Sequence, residues 1–258
     1  VIYAVADPNP IARGGAEKIR EAGIEVIDGI EKEYVAYSNR AWLKKVTTGA
    51  PWIITKIAAS LDGKIAAADG SSKWITSDDA RADVAILRNQ SDAIVTTTET
   101  VMQDNPDLTP RFQSENPTSR SINPVRIVIG NREISADASI NNDRAETRFI
   151  KSRSLTELLD MAKAEGWNQV MVESGARFNS ALFEADLVDE VVLYQAPTLL
   201  GSGKDLAGDL SISTLTDRKD FSFGELHRVG RDLRTQLLRK NSALAEIFTS
   251  EFSVAGKR

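Results

Sequence analysis

Trp52-Ile53-Ile54-Thr55-Lys56-Ile57-Ala58-Ala59-Ser60-Leu61-Asp62-Gly63-Lys64-Ile65-Ala66 decides how this chain folds. An apolar run carrying a single lysine breaks into Ser-Leu-Asp-Gly and resumes at Lys64, the pattern of a strand delivering its C-terminal end to a polar turn. In open α/β sheets, ligands bind at that end of the strands. Downstream, Gly70-Ser71-Ser72-Lys73-Trp74-Ile75-Thr76 is followed by a helix with Arg88 near its end, then Thr100, then Asp104-Asn105-Pro106-Asp107-Leu108-Thr109-Pro110-Arg111. Polar and charged side chains thus recur at the ends of successive predicted elements. One site built from several loops is expected.

Working outward, strands are predicted at residues 52–59, 93–97, 125–129, 147–150, 169–172 and 190–196, with helices at 78–89, 155–165 and 176–185. Strands and helices alternating at these lengths imply an open, mainly parallel sheet with helices on both faces. Residues 221–229 and 233–238 read as an antiparallel hairpin through Gly230-Arg231-Asp232. Upstream, 1–6 reads as a buried strand, 16–22 as a helix ended by Gly23, and 24–27 as a second strand, a βαβ unit with a parallel pair. Nothing precedes the first strand to cover its edge, so residues 1–48 read as the remnant of a larger domain plus a linking helix at 30–47. Val35, Ser38, Ala41 and Trp42 approximate one face of that helix. Residues 49–241 form the main domain, with a mobile polar loop at 113–123. Residues 242–258 are a tail with a short amphipathic segment, Leu244, Ile247, Phe248 and Phe252.

Composition narrows the function classes. The 258 residues suffice for a sizeable core, and 41% hydrophobic with 27% charged residues is ordinary for a globular protein. The net charge is −5 with Lys and Arg scattered, which argues against a nucleic-acid surface or an anionic membrane as partner. There is no Cys and one His, so neither a disulfide nor a Cys/His zinc site can be assembled, and no metal is expected. No apolar run approaches the roughly 18 residues that span a bilayer, and the first residues lack the basic region of a signal peptide. The cytoplasm is the expected location.

Several residues point to chemistry, each with a plainer alternative. Lys56 lies within an apolar strand, where an unpaired ammonium is costly, so it needs a partner, for which Asp62 and Asp104 are candidates, or a function. Glu173-Ser174-Gly175-Ala176 joins an apolar strand to a helix. Its glycine permits close approach of a ligand and the free N–H groups favour an anion such as a pyrophosphate, although most such turns are only tight connections. Glu173 could merely complement the helix dipole. The full G-x-G-x-x-G fingerprint is absent, so this is not a standard dinucleotide-binding domain. Arg88 and Arg111 offer planar forks that suit phosphate oxygens, against the usual solvated role. Asp62 reads as a turn-former and His227 as a partly exposed strand residue without a role.

K-x-A-x-S-L-D-G-K-x-A, G-x-S-x-W-I-T, L-R, D-x-P-x-L-T-x-R and V-E-S-G follow one another here in that order. Together they resemble the reductase domain of the bifunctional riboflavin-biosynthesis deaminase/reductase, over about residues 1–238, with the first forty residues resembling the tail of the deaminase domain. The resemblance implies a dihydrofolate-reductase-like fold and NADPH-dependent reduction of 5-amino-6-(5-phosphoribosylamino)uracil to the ribitylamino compound. It assigns catalysis to Lys56 and Glu173, and substrate contacts to Ser72, Arg88, Leu108, Arg111 and Glu173. Cofactor contacts fall on Ala58, Trp74, Thr100, Asp104 and Asn131, and on Gly175, Ala176, Arg177, Phe178, Asn179, Ser180 and Ala181. The family's deaminase binds zinc through one His and two Cys in H-x-E and P-C-x-x-C motifs, neither of which occurs here, so deamination is not expected. The partner implied is the phosphorylated ribosylaminopyrimidine. The fold family is often dimeric, which makes a homodimer one possible state and leaves the oligomer open. Two rivals remain: a pterin or dihydrofolate reductase of the same fold, which needs no phosphate-binding arginines, and a catalytically inactive nucleotide-binding remnant.

Overall fold

The computed structural model describes residues 1–110 and 123–240. In chain order its elements are β1 (Ile2–Tyr3), α1 (Gly15–Glu21), β2 (Ile27–Asp28), α2 (Lys32–Ser38), α3 (Arg40–Thr48), β3 (Trp52–Ser60) and β4 (Lys64–Ala66). Then follow α4 (Asp78–Gln90), β5 (Ala93–Thr97), α5 (Thr98–Asp104), β6 (Val125–Ile129), β7 (Thr147–Ile150), α6 (Leu155–Ala164), β8 (Gln169–Val172) and α7 (Ala176–Glu184). The chain continues through β9 (Glu190–Ala196), β10 (Lys204–Asp205), β11 (Phe221–Val229) and β12 (Asp232–Arg239). Arg111, residues 113–122 of the predicted loop and the tail 242–258 lie outside the described residues.

Eight strands form one sheet in the order β11-β12-β9-β3-β8-β5-β6-β7. Pairing is parallel from β9 through β3, β8, β5 and β6 to β7, and antiparallel where β12 joins β9 and β11 joins β12. The mainly parallel α/β sheet ending in a hairpin is therefore as expected. Every residue of β8 is buried, as a parallel strand covered on both faces requires. Along β3 the side chains alternate: Trp52 and Ile54 enter one core cluster with Val84 and Leu87 of α4, while Ile53 and Ile57 enter the other with Leu158 of α6 and Leu182 of α7. Helix α4 begins at Ser77, whose Oγ accepts from the Ala80 amide, with Asp78 and Asp79 in its first turn complementing the dipole.

Three details depart from the sequence reading. The first strand is two residues long, not six, and Val1 and Ile2 are 56% and 65% exposed, because a two-stranded pair has no sheet face to bury them. The parallel pairing itself, Ile2 with Ile27 and Tyr3 with Asp28, is as expected, although the second strand is shifted to Ile27–Asp28. The predicted linking helix is two helices, α2 and α3. They break at Asn39, whose side-chain amide donates to the Val35 carbonyl at 2.9 Å and competes with the helical backbone. Its buried residues are Ala36 and Leu43 rather than the predicted stripe, and Trp42 is 38% exposed. Finally, α5 forms where no helix was predicted, its first turn capped by Thr97 Oγ1 accepting from the Thr100 amide at 3.2 Å.

Candidate active site

Register decides which side chains meet. Thr55 of β3 lies opposite Val172, the last residue of β8, so Glu173 leaves the sheet at the level of Lys56, its amide held by the Val95 carbonyl at 2.8 Å. Lys56 and Ala58 continue the face of β3 that Trp52 and Ile54 present to α4, beyond the point where apolar packing ends. Arg88, in the last turn of α4, reaches the same spot.

The result is a cluster of three charges. Arg88 holds Glu173 with both arms of its fork, Nε to Oε1 at 2.6 Å and Nη2 to Oε2 at 3.0 Å, while its Nη1 donates to the Thr109 carbonyl at 3.2 Å. Lys56 Nζ is 3.7 Å from Glu173 Oε2, and the three side chains are only 11–19% exposed. Burial alone would raise the Glu173 pKa; Arg88 first and Lys56 second outweigh it and hold the carboxyl at about 2. On Lys56 the balance reverses: burial lowers its pKa below the ordinary lysine value, against the opposing pull of Glu173 and, more weakly, Asp104. The partner of Lys56 is thus Glu173, and neither Asp62 nor Asp104 forms the ion pair that the sequence suggested. Asp62 instead accepts from Ser60 Oγ at 2.5 Å and from the amides of Leu200 and Gly201 at 3.1 and 2.8 Å, the turn-bracing role expected of it.

Around this centre the other candidates fall into two groups. Ser72 Oγ donates to Asp104 Oδ1 at 2.9 Å and Lys73 Nζ to the Asp104 carbonyl at 2.6 Å, which joins the 70–76 loop to the end of α5. Leu108 is buried with φ +59, and Thr100 Oγ1 lies 3.0 Å from Thr97 Oγ1. On the rim, Trp74 is 64% exposed with the Arg81 guanidinium 4.3 Å from its ring, and Asn131 and Arg177 are exposed. Helix α7 starts at Gly175 without a side-chain cap, and a Cβ on Gly175 would meet no protein atom within 4 Å. Ala176, Phe178 and Ala181 are half-buried along this helix. Asn179 and Ser180 are buried and already engaged, Asn179 Oδ1 with Ser174 Oγ at 2.8 Å and Ser180 Oγ with the Gly208 amide at 2.7 Å.

The residues that brace this centre escaped the sequence reading. Asp107, Thr109 and the fully buried Arg126 of β6 hold the loop whose carbonyl Arg88 uses. The signal was present, since Arg126 interrupts an apolar strand just as Lys56 does. Among the described residues no group of acidic or imidazole side chains is arranged to hold a metal, and no helix is long and apolar enough to cross a membrane.

The geometry places a buried carboxylate paired with two cations beside an uncapped helix start, and comparison with known proteins says which family builds such a site. The model of the RibD C-terminal domain matches residues 51–233. The riboflavin biosynthesis protein RibD of Mycobacterium tuberculosis is 38% identical over 241 residues, covering 93% of this chain and 70% of that protein. Acinetobacter baumannii RibD superposes with a TM-score of 0.80 at 31% identity, covering 93% of this chain and 72% of that one. The Thermotoga maritima diaminohydroxyphosphoribosylaminopyrimidine deaminase/5-amino-6-(5-phosphoribosylamino)uracil reductase gives 0.80 at 27% identity, over 93% and 71% of the two chains. A mainly parallel sheet with a terminal hairpin, a buried Lys-Glu-Arg centre and a family match over residues 51–233 agree: this chain belongs to the RibD family through its C-terminal, reductase domain.

Proposed function

We propose that this chain reduces 5-amino-6-(5-phosphoribosylamino)uracil to its ribitylamino counterpart with NADPH, in the riboflavin pathway. The observation that carries the reading is the Lys56–Glu173–Arg88 cluster, a buried carboxylate kept ionised between two cations at the carboxyl end of β8, beside the middle of β3. Glu173 accepts hydrogen bonds from the amino-substituted pyrimidine. Lys56 holds or delivers the proton as the ribosylamine opens to an imine. Ser72 and the backbone at Leu108 contact the substrate, and Arg88 with Arg111 meets its phosphate.

A dinucleotide fits the remaining surface. The uncapped start of α7 and the open side of Gly175 leave backbone N–H groups available to a pyrophosphate. Ala58, Trp74, Thr100, Asp104 and Asn131 line the rest, and Asn131, Arg132, Lys151, Ser152 and Arg153 are the candidates to receive a 2′-phosphate. Bound there, the nicotinamide supplies the hydride. The same proposal includes a homodimer, a cytoplasmic location, a division at residues 48/49, and no deaminase chemistry from this stretch.

Turnover of the phosphorylated substrate against its dephosphorylated form and dihydrofolate tests the reading. Loss of most efficiency without the phosphate supports it, and a preference for dihydrofolate selects the pterin rival. An equal efficiency with NADPH and NADH overturns the cofactor assignment. A chain that oxidises neither, yet binds nucleotide, is the inactive remnant.

A further inference from the structure

Arg126, the second residue of β6, is wholly buried, on no surface a substrate could reach. A buried guanidinium persists only where most of its donors are matched; here Nε has no partner among the described residues, and the two terminal nitrogens converge on loops. Its Nη1 donates to the Asp107 carbonyl at 3.2 Å and to Asn142 Oδ1 at 2.9 Å. Its Nη2 donates to the carbonyls of Asn142 and Ala145 at 2.7 and 2.5 Å. Asp107 Oδ1, 3.6 Å from the same Nη1, accepts from Thr109 Oγ1 at 2.9 Å, and Asp107 Oδ2 pairs with Arg144 at 2.7 Å.

The loop so tied is one that would not hold its shape unaided. Asn105 and Leu108 both have positive φ, +43 and +59, and for a branched apolar residue the left-handed region costs roughly 1–2 kcal/mol. The carbonyl of Thr109, at the end of this loop, is the acceptor for Arg88 Nη1, and Arg88 in turn carries Glu173 on its two other nitrogens. A continuous path of contacts therefore runs from Arg126 through Asp107, Thr109 and Arg88 to the carboxylate of Glu173.

We propose that Arg126 is a positioning residue for the reductase: by clamping the 105–110 loop it fixes the Thr109 carbonyl, and so the orientation in which Arg88 presents Glu173. This rests on the reading of Glu173 as the substrate-binding carboxylate. Arg126→Lys keeps a charge but loses the fork that joins three carbonyls. Thr109→Val breaks the path one step later and leaves every buried charge in place.

Glu173 is faced by Arg88 from α4 and Lys56 from β3, and Asp107 and Asp104 act in turn on those two cations. Loosening Arg88 weakens the attraction that holds the Glu173 proton off, so its pKa rises. Both variants are therefore expected to move the acid limb of kcat/KM to higher pH. The substrate KM should rise on the order of tenfold, as for a small misplacement set up away from the chemistry, while that for NADPH stays put. Thermal unfolding reports on folding, and carbon NMR of the Glu173 carboxyl in the ligand-free chain follows the same titration without turnover. Folded variants with an unmoved substrate KM and an unmoved Glu173 titration overturn the proposal, as does a uniform loss of activity that merely tracks lower Tm. A wild-type chain inactive on the substrate refutes the functional reading instead, and the carboxyl titration still decides the role of Arg126.

Discussion

At the scale of the residue, the proposed chemistry rests on two groups pushed in the same direction for opposite reasons. Cations keep Glu173 ionised, and burial loosens the proton on Lys56. If Glu173 holds the pyrimidine equally in ground and transition states, Glu173→Gln should mainly raise the substrate KM and leave the NADPH KM nearly unchanged. Lys56→Ala removes the group proposed to act where charge changes, and turnover should then fall by roughly 100-fold or more with the protein still folded. Wild-type rates and affinities in both folded variants would make the pair structural. The pH profile follows with its sign. Glu173 is depressed below its unfolded value, so its pairing contributes stability above about pH 4.3, lost as the pH falls through about 2. On the basic side, activity should fall at a pH below the ordinary lysine value. In Glu173→Gln that limb should move lower still, because the carboxylate that raises the Lys56 pKa is gone. A basic limb that stays where it was would detach Lys56 from the reaction.

At the scale of the element, the α7 start offers a test that separates binding from folding. Gly175 has φ −79, open to any residue, and a Cβ there meets nothing in the protein. Gly175→Ala should leave Tm unchanged or slightly higher, since the substitution restricts only the unfolded chain, by about 0.4–1 kcal/mol. If a pyrophosphate approaches this backbone, the same change raises the NADPH KM with the substrate KM unaffected. Unaltered cofactor affinity would move the cofactor away from α7. The elements themselves were largely legible: β5 to β9 begin and end where apolar runs meet turn residues. What escaped had physical causes. Helix α5 is seven residues of mostly polar sequence that a threonine cap stabilises, and the α2–α3 break depends on one asparagine side chain. In the site, Lys56 stood out as a charge set in an apolar strand, and Glu173 as a carboxylate just past the end of one. That Arg88 grips Glu173 could not be read, because the two are 85 positions apart and only the packing of α4 against β8 brings them together.

At the scale of the whole molecule, the sheet is fastened to its N-terminal segment by charge. Arg40 of α3 lies 4.3 Å from the Tyr37 ring and donates to the fully buried Glu190 at 2.8 Å, and Lys44 donates to the fully buried Asp189 at 2.5 Å. Glu190 also accepts from the Trp52 indole at 2.9 Å. Removing residues 1–48 would strip both acids of these cations, and each broken buried pair costs about 3–5 kcal/mol. That truncation should therefore unfold at much lower denaturant than one removing residues 1–30, and equal midpoints would show the brace to be idle. The reaction assigned to this body is tested most directly by following the hydride. With NADPH deuterated at the transferring C4 position and 5-amino-6-(5-phosphoribosylamino)uracil as substrate, the purified chain should release a ribitylamino product carrying one deuterium on C1 of the sugar chain. A product labelled elsewhere, or no labelled product from folded protein, would contradict the assignment.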